Sequence, residues 1–247
     1  MRRTTADDLH VVDAIVVGRQ EQGEEDRIVR LLTPQEGLVS AWANRARRPR
    51  SPFGLLDLGV GARVTLRRGR GAGDLASLVA VEILAPRLGV RARLERLGPA
   101  AVACEAVRGF ATTAPDPRLF GCLETALLLL DQHPDDPQSG FLAALLAKLL
   151  TFAGLAPALD RCPECGGPPA SPMAWWLDGG GAFHVAHLAP DAAGAPRIEL
   201  TTLAQLAHLR RTPLLDCYAA AGELAPLLAL TEHHLGHGLR ARMWLQG

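Results

Sequence analysis

The sequence predicts an α+β protein, with a five-stranded OB-type β-barrel followed by an α-helical domain that carries an inserted zinc-finger-like loop. Three observations predict it. Residues 10–85 alternate apolar and polar positions with the period of a strand and are punctuated by Gly/Pro turns. From Arg87 onward, Leu and Ala recur at helical spacing. That helical pattern is interrupted by Cys162-Pro-Glu-Cys165 and, after eighteen intervening residues, by His184-Val-Ala-His187.

In the first region Val12–Val17, Asp26–Thr33, Leu38–Ala43, Ala62–Arg68 and Leu75–Leu84 read as strands. Gly18 to Gly23, Pro34 to Gly37 and Gly69 to Gly73 supply turn chemistry between them. Five short strands with no helix among them fit a small closed barrel better than an immunoglobulin-like sandwich, which needs about seven.

Helical periodicity then runs through Leu94, Leu97, Ala101, Cys104 and Val107, with Pro99 expected to interrupt it. Leu119–Leu130 and Phe141–Leu155 are leucine-rich, the second apolar around most of its circumference and therefore expected to be buried. Thr201 or Thr202 is the expected N-cap of a helix reaching Arg211, and Leu224–Leu245 reads as one final amphipathic helix. The expected domains are 1–85 for the barrel, 86–159 with 191–247 for the helical body, and 160–190 for the inserted module.

Composition narrows the function. The 26 basic and 26 acidic side chains cancel, so no global field points to a polyanionic partner, and any such surface has to be local. An aromatic content of 4% argues against a base-stacking platform rich in such rings. No apolar run is long enough for a transmembrane helix, and the Arg2-Arg3 start leads into Asp7-Asp8 rather than the apolar core of a secretory signal. Five cysteines, an odd number with two in a knuckle, suit a reducing compartment. The expectation is a soluble protein of the cytoplasm.

Two constellations carry chemistry. Cys162, Cys165, His184 and His187 offer Zn²⁺ two thiolates and two imidazoles, a complete tetrahedral shell with no position for water, so the expected zinc is a single structural ion. Arg45, Arg47, Arg48 and Arg50 fall within six residues on a barrel loop stiffened by Pro49 and Pro52, a pattern suited to forked phosphate contacts. Arg63, Arg67, Arg68 and Arg70 gather again on the hairpin 62–73, the last three expected to face DNA. Residues 1–85 carry 13 basic against 11 acidic side chains, and the acids crowd into Glu21–Asp26, so the basic face is expected to be polarised beyond that sum. Cys104, Cys122 and Cys217 read as core thiols, and His233, His234 and His237 as helix surface. No nucleophile elbow and no P-loop is present.

These residues resemble the RecO family of recombination mediators. The likeness runs from Ala14–Val17 through Gly23-Glu-Glu-Asp-Arg-Ile-Val29 and Leu31-Leu-Thr-Pro-Gln-Glu-Gly37 to Ala46-Arg-Arg-Pro-Arg-Ser51. It resumes at Cys162-x-x-Cys165-Gly166 and in the ending Leu239-Arg-Ala-Arg-Met-Trp-Leu245. The resemblance implies a non-enzymatic protein of DNA repair that binds single- and double-stranded DNA and anneals complementary strands. With RecR it would help RecA load onto DNA coated by single-strand binding protein. Two departures stand out: His184-x-x-His187 replaces the family's second Cys-x-x-Cys, and the loop that usually reads Lys-Gly-Ala-Arg is here Ala43-Asn44-Arg45-Ala46-Arg47, which has lost the glycine. A zinc-dependent metalloenzyme and an interaction module with no DNA contact are the competing readings.

Overall fold

The structure, a computed structural model, describes residues 9–69 and 75–245. The chain divides into two compact units, 1–131 and 132–247.

The first unit opens with β1 (Leu9–Gln22), β2 (Asp26–Thr33), β3 (Gly37–Ala43), β4 (Gly61–Arg67) and β5 (Ala76–Ala85), closed into a barrel in the order β1-β2-β3-β5-β4. β1 is long enough to serve two partners. Its first half pairs with β4 from Leu9↔Arg67 to Ile15↔Gly61, and its second half with β2 as far as Gln22↔Asp26. The strand therefore runs past Gly18, which the sequence places in a turn, and takes up the change of partner in a register shift between Val16 and Gly18. Closure depends on a short parallel contact, Ala41↔Ala76 and Trp42↔Ser77, between β3 and β5. Val12, Val16, Val29, Leu31, Val64 and Leu66 fill the interior with Ala41, Ala43 and Ala62 between them; large and small side chains alternate as the taper of a small barrel requires.

Arg87 leads out of the barrel with φ 54° and a buried side chain that meets Glu124 at 2.6 Å. Then follow α1 (Leu88–Ala92), α2 (Leu94–Phe110) and α3 (Pro117–Gln132). Contrary to expectation, Pro99 lies inside α2 and does not end it. Proline removes a single N–H, the preceding turn is closed by Leu97 donating to the Arg93 carbonyl at 3.0 Å, and the buried run Ala100–Cys104 holds the remainder in place. α3 begins on Asp116, whose Oδ1 accepts from Arg118 N–H at 3.0 Å, with Pro117 at the first helical position.

The second unit contains α4 (Ser139–Phe152), a small sheet of β6 (Met173–Trp176), β7 (Gly181–His184) and β8 (Arg197–Ile198) in the order β7-β6-β8, then α5 (Leu200–Arg211) and α6 (Ala225–Leu235). α4 is buried from Gly140 to Leu150 except at Lys148, the only lysine of the chain. Its Nζ donates to the Leu209 carbonyl at 3.2 Å and to that of Arg210, so the cation sits at the carbonyl end of α5. Two boundaries differ from expectation. The cap position of α5 is Glu199, and Thr202 is buried within the helix. The final segment is not one helix: Gly236 (φ 72°) stops α6, and a separate 3-10 turn covers Arg240–Leu245. None of the five cysteines forms a disulfide; burial pushes the Cys104 thiol up to about 12. No helix among the described residues is long and apolar enough to cross a membrane.

Candidate nucleic-acid interface and metal centre

The loop from β3 to β4 is held in shape by its own backbone and by the β1–β2 hairpin. Arg45 and Arg50 adopt left-handed conformations, φ 54° and 66°. Arg45 N–H donates to Asp26 Oδ1 at 2.6 Å, Arg47 N–H to the Glu25 carbonyl at 2.9 Å, and Ser51 N–H to the Arg48 carbonyl at 3.1 Å. Arg45 takes a left-handed backbone conformation that a glycine adopts without strain.

Arg47, Arg48 and Arg50 line one open depression of about 560 Å³ together with Arg27, Ser51 and Pro52. Arg27, on β2, lines this depression although loop-based reading missed it; β2 also carries Asp26 and Arg30, so no sequence signal singles Arg27 out. The acidic residues do not lie apart from this basic face, as the sequence reading expected. Glu21 Oε2 meets Arg47 Nε at 3.0 Å, Glu21 Oε1 meets Arg27 Nη2 at 2.9 Å, and Glu25 Oε2 meets Arg48 Nε at 2.7 Å. The reason is topological: the β1–β2 hairpin and the β3–β4 loop share one end of the barrel, so their charges interleave. Arg50 has no carboxylate partner among the described residues. The Arg47 and Arg48 pairs are about half exposed, and such pairs contribute roughly 0–1 kcal/mol each. A phosphate can displace them at little cost.

Arg67 lines a second depression of about 420 Å³ with Trp42, Asn44, Ser77, Leu78 and Val79, and Arg68 is exposed beside it. The two arginine groups thus face different depressions, both bordered by the loop leaving β3. Arg70 lies outside the described residues. Arg63 is engaged elsewhere, in a forked pair with Asp13 at 2.8 and 3.2 Å whose hydrogen bond and charge raise its pKa.

In the second unit, Cys162, Cys165, His184 and His187 come together with their donor atoms all within 4.8 Å of one another, and this group could hold a metal ion. The knuckle is closed by Gly166 N–H donating to the Cys162 carbonyl at 2.8 Å, with Gly166 at φ 68°, and Cys162 N–H donating to the Gly167 carbonyl at 2.9 Å. Arg161 braces it by donating to the Gly166 carbonyl at 3.0 Å. The imidazoles arrive from the end of β7 and the 3-10 turn Val185–His187. Cys165 Sγ lies 3.4 Å from His184 Nδ1 and Cys162 Sγ 3.7 Å from His187 Nδ1. Those separations match the edges, about 3.3–3.8 Å, of a tetrahedron with Zn–S near 2.3 Å and Zn–N near 2.0 Å. His184 Nε2 faces the Pro168 carbonyl at 3.1 Å, which keeps the proton on Nε2 and turns the Nδ1 lone pair to the cluster. Burial pushes the Cys162 thiol up. The N–H groups of Cys165 and His184, the His187 ring and the N–H of Glu164 outweigh it and bring the thiol down to about 6, where the thiolate a metal requires is available. Among the described residues the histidines on α6 join no second metal-ligating group: His233 pairs with Asp178 at 3.3 Å, and His237 lies beyond the helix.

The first unit thus holds a closed five-stranded barrel of OB type with a basic loop, and the second a Cys₂His₂ cluster among its helices and small sheet. Residues 8–87 match the family described as Recombination protein O N terminal, and residues 91–244 match Recombination protein O C terminal. The chain is 35% identical over 250 residues to the DNA repair protein RecO of Anaeromyxobacter sp. (strain K), covering 94% of this chain and 93% of that one. It is 33% identical over 234 residues to the protein of the same name from Myxococcus xanthus, with 93% of each chain covered, and 33% over 227 residues to that of Rubrobacter xylanophilus, with 90% of each covered. The chain belongs to the RecO family of DNA repair proteins.

Proposed function

We propose that this protein binds single- and double-stranded DNA through the barrel, anneals complementary strands, and acts with RecR to help RecA load onto DNA coated by single-strand binding protein. The observation that carries this reading is the rim of Arg27, Arg47, Arg48 and Arg50 around an open depression on the barrel. The exposed guanidinium groups of Arg47, Arg48 and Arg50 can each engage a phosphate through two parallel hydrogen bonds, and each phosphate neutralised releases counterions. Two strands held against neighbouring guanidinium groups repel each other less and pair faster. Nothing in this mechanism needs a bond made or broken, so the protein works as a mediator in the cytoplasm, at the nucleoid, and not as an enzyme.

Zinc is the ion we assign to Cys162, Cys165, His184 and His187. Bound there, it would supply folding energy by tying the knuckle to β7. Four protein donors fill a tetrahedral shell, which disfavours the metalloenzyme reading.

A strand-annealing assay on the intact protein tests the proposal. Complementary oligonucleotides should anneal faster with protein than without, and the acceleration should fade as salt is raised. No acceleration at any salt concentration would refute it.

A further inference from the structure

Trp42 stands at a place that phosphate binding alone does not explain. Strand alternation puts Ala41 and Ala43 inside the barrel and turns Trp42 outward. Across the ladder it faces Ile28 of β2 on one side and Ser77 of β5 on the other, at the short parallel seam that closes the barrel. It is half-buried, and its ring packs on no other aromatic ring among the described residues. The depression it lines also holds the apolar surface of Leu78 and Val79, the Asn44 carboxamide, the Ser77 hydroxyl and the Arg67 guanidinium. Arg67 is exposed and has no carboxylate partner among the described residues, unlike Arg47, Arg48 and Arg63.

That set of groups matches one nucleotide taken out of a base stack: an indole for the π-face, a carboxamide and a hydroxyl for the base edge, an exposed guanidinium for the phosphate. We infer that Trp42 is a stacking site for a single unpaired nucleobase, with Arg67 holding the adjoining phosphate. The inference rests on the reading that the barrel binds DNA and adds the feature that separates single from double strands. A base inside a duplex has both faces covered by its neighbours, so the indole gains nothing from a duplex. The guanidinium groups treat both kinds of strand alike. A low aromatic content excludes a platform of several rings, but a single base needs a single ring.

The test measures binding of an oligo-dT, an abasic oligonucleotide of equal length and a duplex to the intact wild-type protein, Trp42→Ala and Trp42→Phe at one salt concentration. Trp42→Ala should weaken dT binding by about fivefold to a hundredfold, the range set by stacking of one base, while duplex affinity and the salt slope stay within about twofold. Trp42→Phe should keep most of the dT affinity. The wild type should prefer dT to the abasic strand, and Trp42→Ala should lose that preference. Equal wild-type affinity for dT and abasic strands would overturn the stacking site while leaving DNA binding intact. So would parallel losses on single strand and duplex in both variants. A wild type that binds none of the three would overturn the DNA reading itself.

Discussion

Glu25 Oε2 lies 2.7 Å from Arg48 Nε, so a carboxylate of the β1–β2 hairpin occupies one edge of a guanidinium fork that a phosphate would need. Glu21 stands in the same relation to Arg47 at 3.0 Å. The arginine rim is therefore partly self-neutralised, and DNA must compete with the protein's own acids.

Replacing Glu25 by Gln should raise affinity for single-stranded DNA by up to about fivefold and steepen its salt dependence, because an exposed pair worth roughly 0–1 kcal/mol no longer competes. Glu24→Gln is the control. It removes a like charge from the same hairpin, yet Glu24 is exposed and pairs with no cation among the described residues. Equal gains from Glu24→Gln and Glu25→Gln, measured by fluorescence anisotropy, would show that only net charge matters.

Arg45 combines a useful charge with an uncomfortable backbone. At φ 54° a Cβ-bearing residue is strained by about 1 kcal/mol relative to glycine. Arg45→Gly should therefore be more stable than Arg45→Ala by about that amount, although both lose the same cation and should bind DNA equally less well. Thermal unfolding of the two variants, alongside a binding titration, checks it. A more stable alanine variant would mean that the Asp26 contact alone sets the conformation.

Asp116 caps α3. The Arg118 side chain is the main cause holding its carboxyl below the usual carboxylate range; burial opposes this, and the N–H groups of Arg118 and Leu119 add to the lowering. A carboxyl depressed in the folded state contributes stability that is present above its unfolded pKa and is lost as pH falls through the folded one. Asp116→Ala should cost about 1 kcal/mol near neutral pH, within the range for lost caps, and the difference from wild type should shrink as pH drops below the ordinary carboxylate range. Chemical denaturation at pH 7 and at progressively acid pH measures both parts. A pH-independent difference would point to lost packing instead.

Chelation, or Cys162→Ser, should lower the thermal midpoint of the protein while leaving affinity for a short oligonucleotide nearly unchanged, since the knuckle and the arginine rim belong to different units. Metal analysis should find one zinc per chain, lost with any one of the four ligands. Oligonucleotide affinity that collapses on chelation would place the metal within the DNA site.

Much of this was legible in the sequence because its physics is local. Period-two alternation between Gly/Pro turns marks all five barrel strands, and Cys-x-x-Cys with His-x-x-His marks four donors that the fold does bring together. What was not legible depends on contacts remote in sequence. The continuation of β1 past Gly18 is fixed by its ladder with β2 and not by any side-chain pattern. The meeting of Glu21 and Glu25 with Arg47 and Arg48 requires a hairpin and a loop more than twenty residues apart to share one end of a barrel. Trp42 becomes a candidate only once β5 closes beside it. The final helix was a misjudged local signal: Gly236 and Gly238 flank His237, and Gly236 takes the left-handed conformation that ends helices.

The most direct test of the central claim is the salt dependence of single-strand binding for wild type and the Arg47→Ala/Arg48→Ala double variant. Each phosphate contact contributes about −0.7 to the logarithmic slope, so removing two should weaken binding and flatten the slope by about 1.4. The same slope in both proteins would contradict the account and place the DNA-binding surface elsewhere on the molecule.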